Sequence, residues 1–279
     1  MTVAEAIRSA TAELEATSDT ARLDAELLMA HALGVSRSDM LLRTMDEAAP
    51  SEFFCFIGRR AKHEPVAYIN GTQEFYGREF EVSRDVLIPR PDSEILIETA
   101  LEFCEEGFSV LDIGTGSGAL LLTLLQEYPS LKRGFGIDNS PAAIEIARKN
   151  ARKHELKNAH FGLFDWRPGQ ERQGLGYAHD TYEIYLCNPP YVETTAKLDP
   201  QVADYEPHSA LFAGKDGLDD YRLLIPELIQ ATGTGNGITV ILEIGATQAD
   251  EVTWLAEKEG YDVELRKDLA GRPRCLVLR

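Results

Sequence analysis

The sequence predicts an α/β protein in which a small all-α domain precedes a larger domain built on a doubly wound parallel sheet. Through the first 70 residues, apolar residues recur at helical spacing and no strand-like alternation interrupts them. From residue 109 to the end, short apolar runs alternate with helical patterns, which is typical of parallel strands joined by helices. The chain has 279 residues, 44% of them hydrophobic, which is enough for both cores.

The predicted domain boundaries follow changes in these patterns. Residues 1–70 are predicted to be helical, with the apolar face of the first helix running from Val3 to Leu14. Residues 71–88 are predicted to form a β-hairpin connector, because this stretch is rich in aromatic and β-branched residues. Residues 89–279 are predicted to form the α/β domain.

The charge of the chain restricts its partners. With 28 basic and 46 acidic residues, the net charge is -18. A strongly acidic surface repels phosphates, so direct contact with nucleic acid is not expected and a basic face of a partner protein is favoured. The alternative is that this charge serves solubility alone.

The cysteine pattern indicates neither a metal site nor a disulfide framework. Cys55, Cys104, Cys187 and Cys275 lack metal-ligand and redox spacing, and we expect them to be reduced. No apolar stretch has the length of a signal peptide core or of a membrane span. We therefore expect a cytoplasmic protein with no metal and no membrane association.

A glycine-rich turn follows the first apolar run of the α/β domain. It consists of Gly114, Thr115, Gly116, Ser117 and Gly118, and a helical pattern begins at once after it. Glycines let the backbone turn sharply and approach a ligand, and a helix N-terminus supplies free N–H groups. The next apolar run ends at Asp138, whose carboxylate can accept both hydroxyl hydrogens of a ribose. Together, the glycine-rich turn and Asp138 predict a cofactor that contains a nucleoside. S-adenosylmethionine and NAD are both compatible with this pattern, and S-adenosylmethionine is favoured.

An acid and an indole follow the third short strand of this domain. Asp165 can hydrogen-bond to an adenine ring and Trp166 can cover it. The alternative for Trp166 is a half-buried surface aromatic side chain without a ligand.

The most specific feature is the turn formed by Asn188, Pro189, Pro190 and Tyr191. It follows the apolar run 182–187, the fourth predicted strand. Ligands of open α/β sheets bind beyond the carboxyl ends of the strands, so this turn and the glycine-rich turn are expected to face one crevice. The alternative, a proline-rich turn with only a structural role, does not account for the glycine-rich turn and Asp138 upstream.

The residue types of this turn suit methylation of an amide or aromatic amine nitrogen. Such a nitrogen is a poor nucleophile because its lone pair is delocalised, so it needs acceptors that hold its hydrogens. The Asn188 side-chain oxygen is one acceptor and the Pro189 carbonyl is a second. Pro190 stiffens the turn, and Tyr191 can stack on a planar amide or base.

With these motifs together, the chain resembles the HemK/PrmC family, the peptide chain release factor glutamine methyltransferases. The resemblance extends over nearly the whole length. Besides the two turns, it includes RLDAELL at 22–28, EPVAYI at 64–69, EFYG at 74–77, VLIPRPD at 86–92, YEP at 205–207, LEIG at 242–245 and DLAGR at 268–272.

The resemblance implies a seven-stranded, Rossmann-like class I methyltransferase domain. It implies transfer of a methyl group from S-adenosylmethionine to the glutamine of the Gly-Gly-Gln motif in release factors. The cofactor contacts that it implies are residues 114–118, Asp138, Trp166 and Asn188, and the turn 188–191 also holds the substrate amide. The helical domain is implied to recognise the protein partner, and we expect a monomer.

Three other functions are compatible with parts of this sequence. A nucleic-acid exocyclic-amine methyltransferase, acting on adenine N6 or guanine N2, could use the same turn, but the acidic composition disfavours it. A dinucleotide-dependent oxidoreductase leaves the turn from Asn188 to Tyr191 unexplained. A non-catalytic module that retains the cofactor pocket is disfavoured by the intact turn.

Overall fold

The computed structural model of the chain describes residues 1–165, 182–232 and 237–279, and in these the chain divides into two compact units. The first unit comprises Met1–Thr72 together with Leu198–Tyr205, and the second comprises Gln73–Lys197 and Glu206–Arg279. Within the described ranges, no helix is long and apolar enough to cross a membrane.

The first unit is helical. A capping box begins its first helix, since the Thr2 side chain accepts from the Glu5 N–H while the Glu5 carboxylate accepts from the Thr2 N–H. Gly34, at φ 66°, ends the second helix in the left-handed conformation. The helices of this unit are α1 Val3–Leu14, α2 Ala21–Leu33, α3 Arg37–Arg43, α4 Ser51–Arg60, α5 Val66–Asn70 and, numbered in chain order, the short α9 Pro200–Ala203.

A buried ion pair lies inside this unit. Arg60 Nε donates to Asp24 Oδ2 at 2.7 Å, and both side chains are more than nine-tenths buried. Asp24 also accepts from the hydroxyls of Ser18 and Thr20, so its carboxylate is well satisfied. The guanidinium of Arg60 donates as well to the Gln201 side chain at 3.4 Å, which links the returning segment 198–205 to α4.

Asp24→Ala is expected to destabilise the helical unit by about 3–5 kcal/mol, because it leaves the buried Arg60 charge uncompensated. Asp39→Ala is the matched control: Asp39 pairs with Arg43 at 3.4 Å on the surface, and its loss should cost below about 1 kcal/mol. Hydrogen exchange of peptides from residues 1–72 measures both. Equal losses in the two variants would contradict a structural role for the Asp24–Arg60 pair.

The second unit contains a seven-stranded sheet with strand order β5-β4-β3-β6-β7-β9-β8, in agreement with the predicted fold class. A separate hairpin, β1 and β2, precedes it. The strands are β1 Thr72–Phe75, β2 Arg78–Glu81, β3 Ser109–Ile113, β4 Arg133–Asp138, β5 Ala159–Leu163, β6 Ile184–Cys187, β7 Thr239–Glu243, β8 Val263–Lys267 and β9 Pro273–Leu278. The helices are α6 Glu94–Leu101, α7 Ala119–Glu127, α8 Pro141–Lys153, α10 Asp219–Thr232 and α11 Ala249–Lys258, with 3₁₀ turns at Pro91–Ser93 and His208–Ala210.

Hydrophobic clusters cover both faces of the sheet. Successive residues of a strand point to opposite faces, and in β3 Val110 packs with α6, α7 and α8 whereas Leu111 packs with α10 and α11. Both faces of the central strands are therefore buried, which explains why these strands are continuous apolar runs.

The sheet is not entirely parallel, which corrects the prediction of a parallel doubly wound sheet. Strand β9 runs antiparallel to both of its neighbours, β7 and β8. Only five residues, 268–272, connect β8 to β9. A parallel crossover needs a dozen or more residues, so this connection forces a hairpin. The Asp268 side chain closes the hairpin by accepting from the N–H groups of Ala270 and Arg272.

The compact units divide differently from the predicted domains at two places. The hairpin, predicted as a connector over 71–88, lies in the second unit from Gln73 onward. Residues 198–205, predicted to belong to the α/β domain, lie in the helical unit, where the Tyr205 hydroxyl donates to the Lys62 carbonyl at 2.7 Å. This association is non-local, and no local sequence pattern marks it.

Candidate functional site

The glycine-rich turn joins β3 to α7 and is held against the end of β4. The N–H groups of Gly114 and Thr115 both donate to the Ile137 carbonyl, at 2.8 and 2.9 Å. Gly114, Gly116 and Gly118 have φ values of 74°, 54° and 81°, a region that favours glycine. A Cβ on Gly116 would meet nothing within 4 Å, so the turn leaves open space at this residue.

Asp138, the last residue of β4, is fixed by backbone donors. Its Oδ2 accepts from the Gly116 N–H and its Oδ1 from the Ser140 N–H, both at 2.9 Å. Ser140 in turn caps α8 by accepting from the Ala143 N–H, as the sequence pattern of Ser140 and Pro141 suggests. Each carboxylate oxygen has further acceptor capacity, so the half-buried group can still accept hydroxyl hydrogens.

Asp112 lies beneath the same turn. Its carboxyl is fully buried, and its Oδ2 accepts from the Thr115 hydroxyl at 2.6 Å. The pKa of Asp112 is raised to about 7, mainly by burial and also by the nearby Asp138, whereas the Thr115 hydrogen bond opposes the rise. The contact ties the glycine-rich turn to the end of β3.

The Asn-Pro-Pro-Tyr turn follows β6, and its first side chain has a defined orientation. Asn188 Nδ2 donates to the Ser93 hydroxyl at 3.2 Å, which leaves the amide oxygen Oδ1 available as an acceptor. Pro189 and Pro190 are buried.

Tyr191 is anchored towards the interior at both its hydroxyl and its backbone. The hydroxyl donates to Glu243 Oε1 at 3.2 Å, and the Tyr191 carbonyl accepts from Gln248 Nε2 at 3.0 Å. Burial raises the pKa of Tyr191, and Glu243 raises it further. The phenol therefore stays protonated and serves as a donor to Glu243.

The segment 86–92 is tied to residues 206–210 by a buried acid. Glu206, 4% exposed, accepts from the Ile88 N–H at 3.2 Å and from the guanidinium of Arg90. Pro89 and Pro91 remove two backbone donors and fix an extended path on either side of Arg90. Glu206 therefore fixes the segment 86–92 relative to the segment 206–210.

These segments line one cleft in the second unit, of about 870 Å³ including space open to solvent. Among the predicted site residues, the cleft is lined by Gly114, Thr115, Gly116, Ser117, Asp138, Asn188 and Pro190. Gly118, Pro189 and Tyr191 are not among the lining residues, and Trp166 lies outside the described part of the chain.

Several residues of this site were not predicted as site residues from the sequence. Ser93, Arg90 and Asn139 line the cleft. Glu243, Gln248 and Glu206 do not line it, but they hydrogen-bond to the segments that do. The position of Glu243 at the carboxyl end of a central strand is a signal that could have identified it. In the described ranges, no group of three or more His, Cys, Asp or Glu side chains could hold a metal ion.

The strand order, the glycine-rich turn and the acid at the end of β4 define a class I methyltransferase. Residues 105–206 match the family model described as a methyltransferase domain, and residues 5–71 match the PrmC N-terminal domain. A methyltransferase from Pyrococcus furiosus superposes with a TM-score of 0.52 at 17% identity, covering 73% of this chain and 89% of that one. That likeness shows the fold alone.

Curated relatives define the family more narrowly. The chain is 35% identical to the release factor glutamine methyltransferase of Coxiella burnetii, with 100% of this chain and 99% of the relative covered. It is 37% identical to the protein of the same name from Geobacter sulfurreducens, covering 87% of this chain and 84% of the relative. The chain belongs to the release factor glutamine methyltransferase family.

Proposed function

We propose that the chain transfers a methyl group from S-adenosylmethionine to the side-chain amide nitrogen of the glutamine in the Gly-Gly-Gln motif of a peptide chain release factor. Family membership supports this reaction. The single structural observation that carries it is the Asn188 amide at the cleft: its nitrogen donates to Ser93, and its oxygen accepts no hydrogen bond from the residues that the structure describes. An amide nitrogen that attacks a methyl group requires an acceptor for its hydrogens beside the cofactor, and Asn188 Oδ1 can be that acceptor.

The residues present fit the cofactor. The open space at Gly116 allows close approach of a ligand to the backbone, and the Asp138 carboxylate, fixed by two backbone donors, can accept ribose hydroxyls. Residues 114–118, Asp138 and Asn188 hold the cofactor in this proposal, together with Trp166. When bound, S-adenosylmethionine supplies an electrophilic methyl group beside a positive charge.

The substrate amide is held by the turn itself. Asn188 Oδ1 accepts one hydrogen of the target amide and the Pro189 carbonyl accepts the other, so the lone pair of the nitrogen is oriented. These interactions strengthen as positive charge develops on the nitrogen, which favours the transition state. Holding the reacting atoms in line could remove roughly 7–11 kcal/mol of the barrier. Pro190 fixes the backbone, and Tyr191, which donates to Glu243 and whose carbonyl accepts from Gln248, anchors the end of the turn.

The direct test is mass spectrometry of a release factor after incubation with the purified chain and S-adenosylmethionine. We expect one added methyl group on the glutamine of the Gly-Gly-Gln motif and none on a release factor in which that glutamine is replaced. Adenine- and guanine-containing RNA and DNA are tested in parallel. Methylation of nucleic acid with an unmodified release factor would favour the alternative amine methyltransferase.

The helical unit is proposed to contact the release factor, and the chain is proposed to act as a monomer without direct contact with nucleic acid. The net charge of -18 supports a protein surface as the partner. Apolar side chains on the helical unit are exposed, Leu42 by 80% and Phe54 by 47%. Exposed apolar side chains are candidates for a protein contact.

Leu42→Glu is expected to raise the KM for the release factor about tenfold or more while the affinity for S-adenosylhomocysteine stays unchanged, because a charge would be desolvated in the contact. Trp254→Glu, which alters a 60% exposed side chain on α11, is the control and should change neither value. Steady-state kinetics and calorimetry provide the two readouts. An unchanged KM in Leu42→Glu would remove this residue from the contact.

A further inference from the structure

Basic side chains are concentrated at the end of α8 and in the turn that follows it. Residues 148–157 include five lysines and arginines and one acid, in a chain that has 28 basic and 46 acidic residues. All five are exposed, and they are called the basic face: Arg148, Lys149, Arg152, Lys153 and Lys157. The helix dipole favours cations in the last turn, where Arg152 and Lys153 lie. Like charges one helical turn apart repel each other, as in the pairs Arg148–Arg152 and Lys149–Lys153, so helix stability does not explain the whole cluster.

Neighbouring acids neutralise only part of the basic face. Arg148 pairs with Glu145 at 2.9 Å, and Lys153 pairs with Glu79 at 2.6 Å. The other members form no ion pair with any residue that the structure describes: Lys149, Arg152 and Lys157. Their charges are therefore available to an anionic partner. On a chain with a net charge of -18, they reverse the sign of the surface locally, which orients a partner as it approaches.

The turn after α8 has a fixed backbone. The Glu155 N–H donates to the Arg152 carbonyl at 3.1 Å, and the Leu156 N–H donates to the Ala151 carbonyl at 3.0 Å, which are the two hydrogen bonds of a Schellman motif. Glu155 has the positive φ of that motif, 58°. Leu156 packs against the core of the second unit. The backbone that carries Lys157 is thus ordered before a partner arrives, which lowers the entropy lost on binding.

The basic face borders a concave surface between the end of α8 and β5, the edge strand of the sheet. This surface has an apolar part and a basic part, with one acid beside them, and its lining includes Leu156, Ala159 and Phe161, then Arg148, Arg152 and Lys157, then Glu155. Among the described residues that line it, cations therefore outnumber acids by three to one.

The concave surface is separate from the cofactor cleft. Ser140 and Ala143, at the start of α8, line the cleft, whereas the basic face is at the other end of the helix. At 1.5 Å per residue, Arg152 lies roughly 14 Å further along the axis than Ala143. A glutamine side chain in the cleft cannot reach that far, so a ligand of both places has to be a large molecule.

We propose that the basic face and the concave surface are a docking site for an acidic segment of the release factor, outside the segment that carries the target glutamine. The inference rests on the proposed function. Aspartate and glutamate side chains of that segment pair with Arg152 and Lys157, and an apolar side chain covers Leu156. RNA fits this surface less well, because a phosphate backbone has no apolar group for Leu156 and a long polyanion would extend over the acidic remainder of the chain.

The first test measures steady-state methyl transfer by the full chain with both charges reversed. Arg152→Glu with Lys157→Glu should raise the KM for the release factor about tenfold or more, with kcat and the affinity for S-adenosylhomocysteine unchanged. The difference should shrink in about 0.5 M NaCl, because salt screens exposed charges. Arg152→Gln with Lys157→Gln should give an intermediate KM. Lys258→Glu with Lys267→Glu makes the same change of net charge at two exposed lysines of the second unit and is the control.

Binding without catalysis separates this inference from the proposed function. The release factor is titrated by calorimetry into each variant saturated with S-adenosylhomocysteine. Weaker binding by the Arg152→Glu, Lys157→Glu variant than by the control supports the docking site even if no methyl transfer is detected, an outcome that would count against the proposed function alone. Equal binding by the two variants would overturn the docking site. A uridine oligonucleotide is titrated in parallel, and loss of RNA binding in the reversed variant with an unchanged KM for the release factor would also overturn it.

Discussion

Asn188→Ala is expected to lower the rate of methyl transfer to a release factor by roughly 10²–10³, by analogy with the loss of one preorganised polar contact at a transition state. The substitution removes both the acceptor for the target amide and the donor to Ser93. The fold should persist, because Pro189 and Pro190 restrict the turn and Gln248 holds the Tyr191 carbonyl. Single-turnover transfer of a labelled methyl group measures the effect.

Two further variants sharpen this prediction. Asn188→Asp keeps an acceptor of the same reach and should retain more activity than Asn188→Ala. Asn158→Ala makes the same change outside the cleft, where the side-chain amide donates to the Leu131 carbonyl at 3.4 Å, and should transfer normally. Near wild-type transfer by folded Asn188→Ala would show that the target amide is held by other groups.

Asp138→Ala is expected to weaken S-adenosylhomocysteine binding by about 2–5 kcal/mol, the range for removing one partner of a buried charge-assisted contact. The loss has two sources. Ribose hydroxyls lose their acceptor, and the N–H groups of Gly116 and Ser140 lose the carboxylate that fixes the glycine-rich turn. Calorimetry with the purified chain gives the dissociation constant directly.

Asp138→Asn separates these two sources. Its side-chain oxygen can keep one of the backbone contacts while the negative charge is lost, so its binding should fall between wild type and Asp138→Ala. Asp262→Ala, an exposed aspartate beside the C-terminal strand pair, is the control and should bind normally. Tight binding of NAD to the wild-type chain, with no binding of S-adenosylhomocysteine, would contradict the cofactor assignment.

The fold class was predictable because its signals are local. Buried parallel strands are continuous apolar runs, and the turns between them carry glycine, proline and capping residues whose backbone demands are met within a few positions. The Ser140 cap and the alternation of strands and helices could be predicted in this way, whereas the number of seven strands was implied by the family resemblance. The direction of β9 depends on the length of the loop 268–272, which the alternation of apolar runs does not reveal.

The site could be predicted only where its chemistry lies within one short motif. The glycine-rich turn, Asp138 and Asn188 each follow a strand, and adjacent strands bring them to one cleft. The orientation of the Asn188 amide depends on Ser93, 95 positions away in the sequence. No periodicity or spacing encodes such a pair.

The sequence by itself determined the class of fold, the two turns at the cleft and the family of the chain, because each depends on residue type over a short stretch. Only the tertiary structure decided what supports those turns. Glu243 behind Tyr191, Glu206 between two segments and residues 198–205 within the helical unit are contacts between distant parts of the chain. Such contacts form because buried polar groups must find partners wherever packing brings one within hydrogen-bond distance.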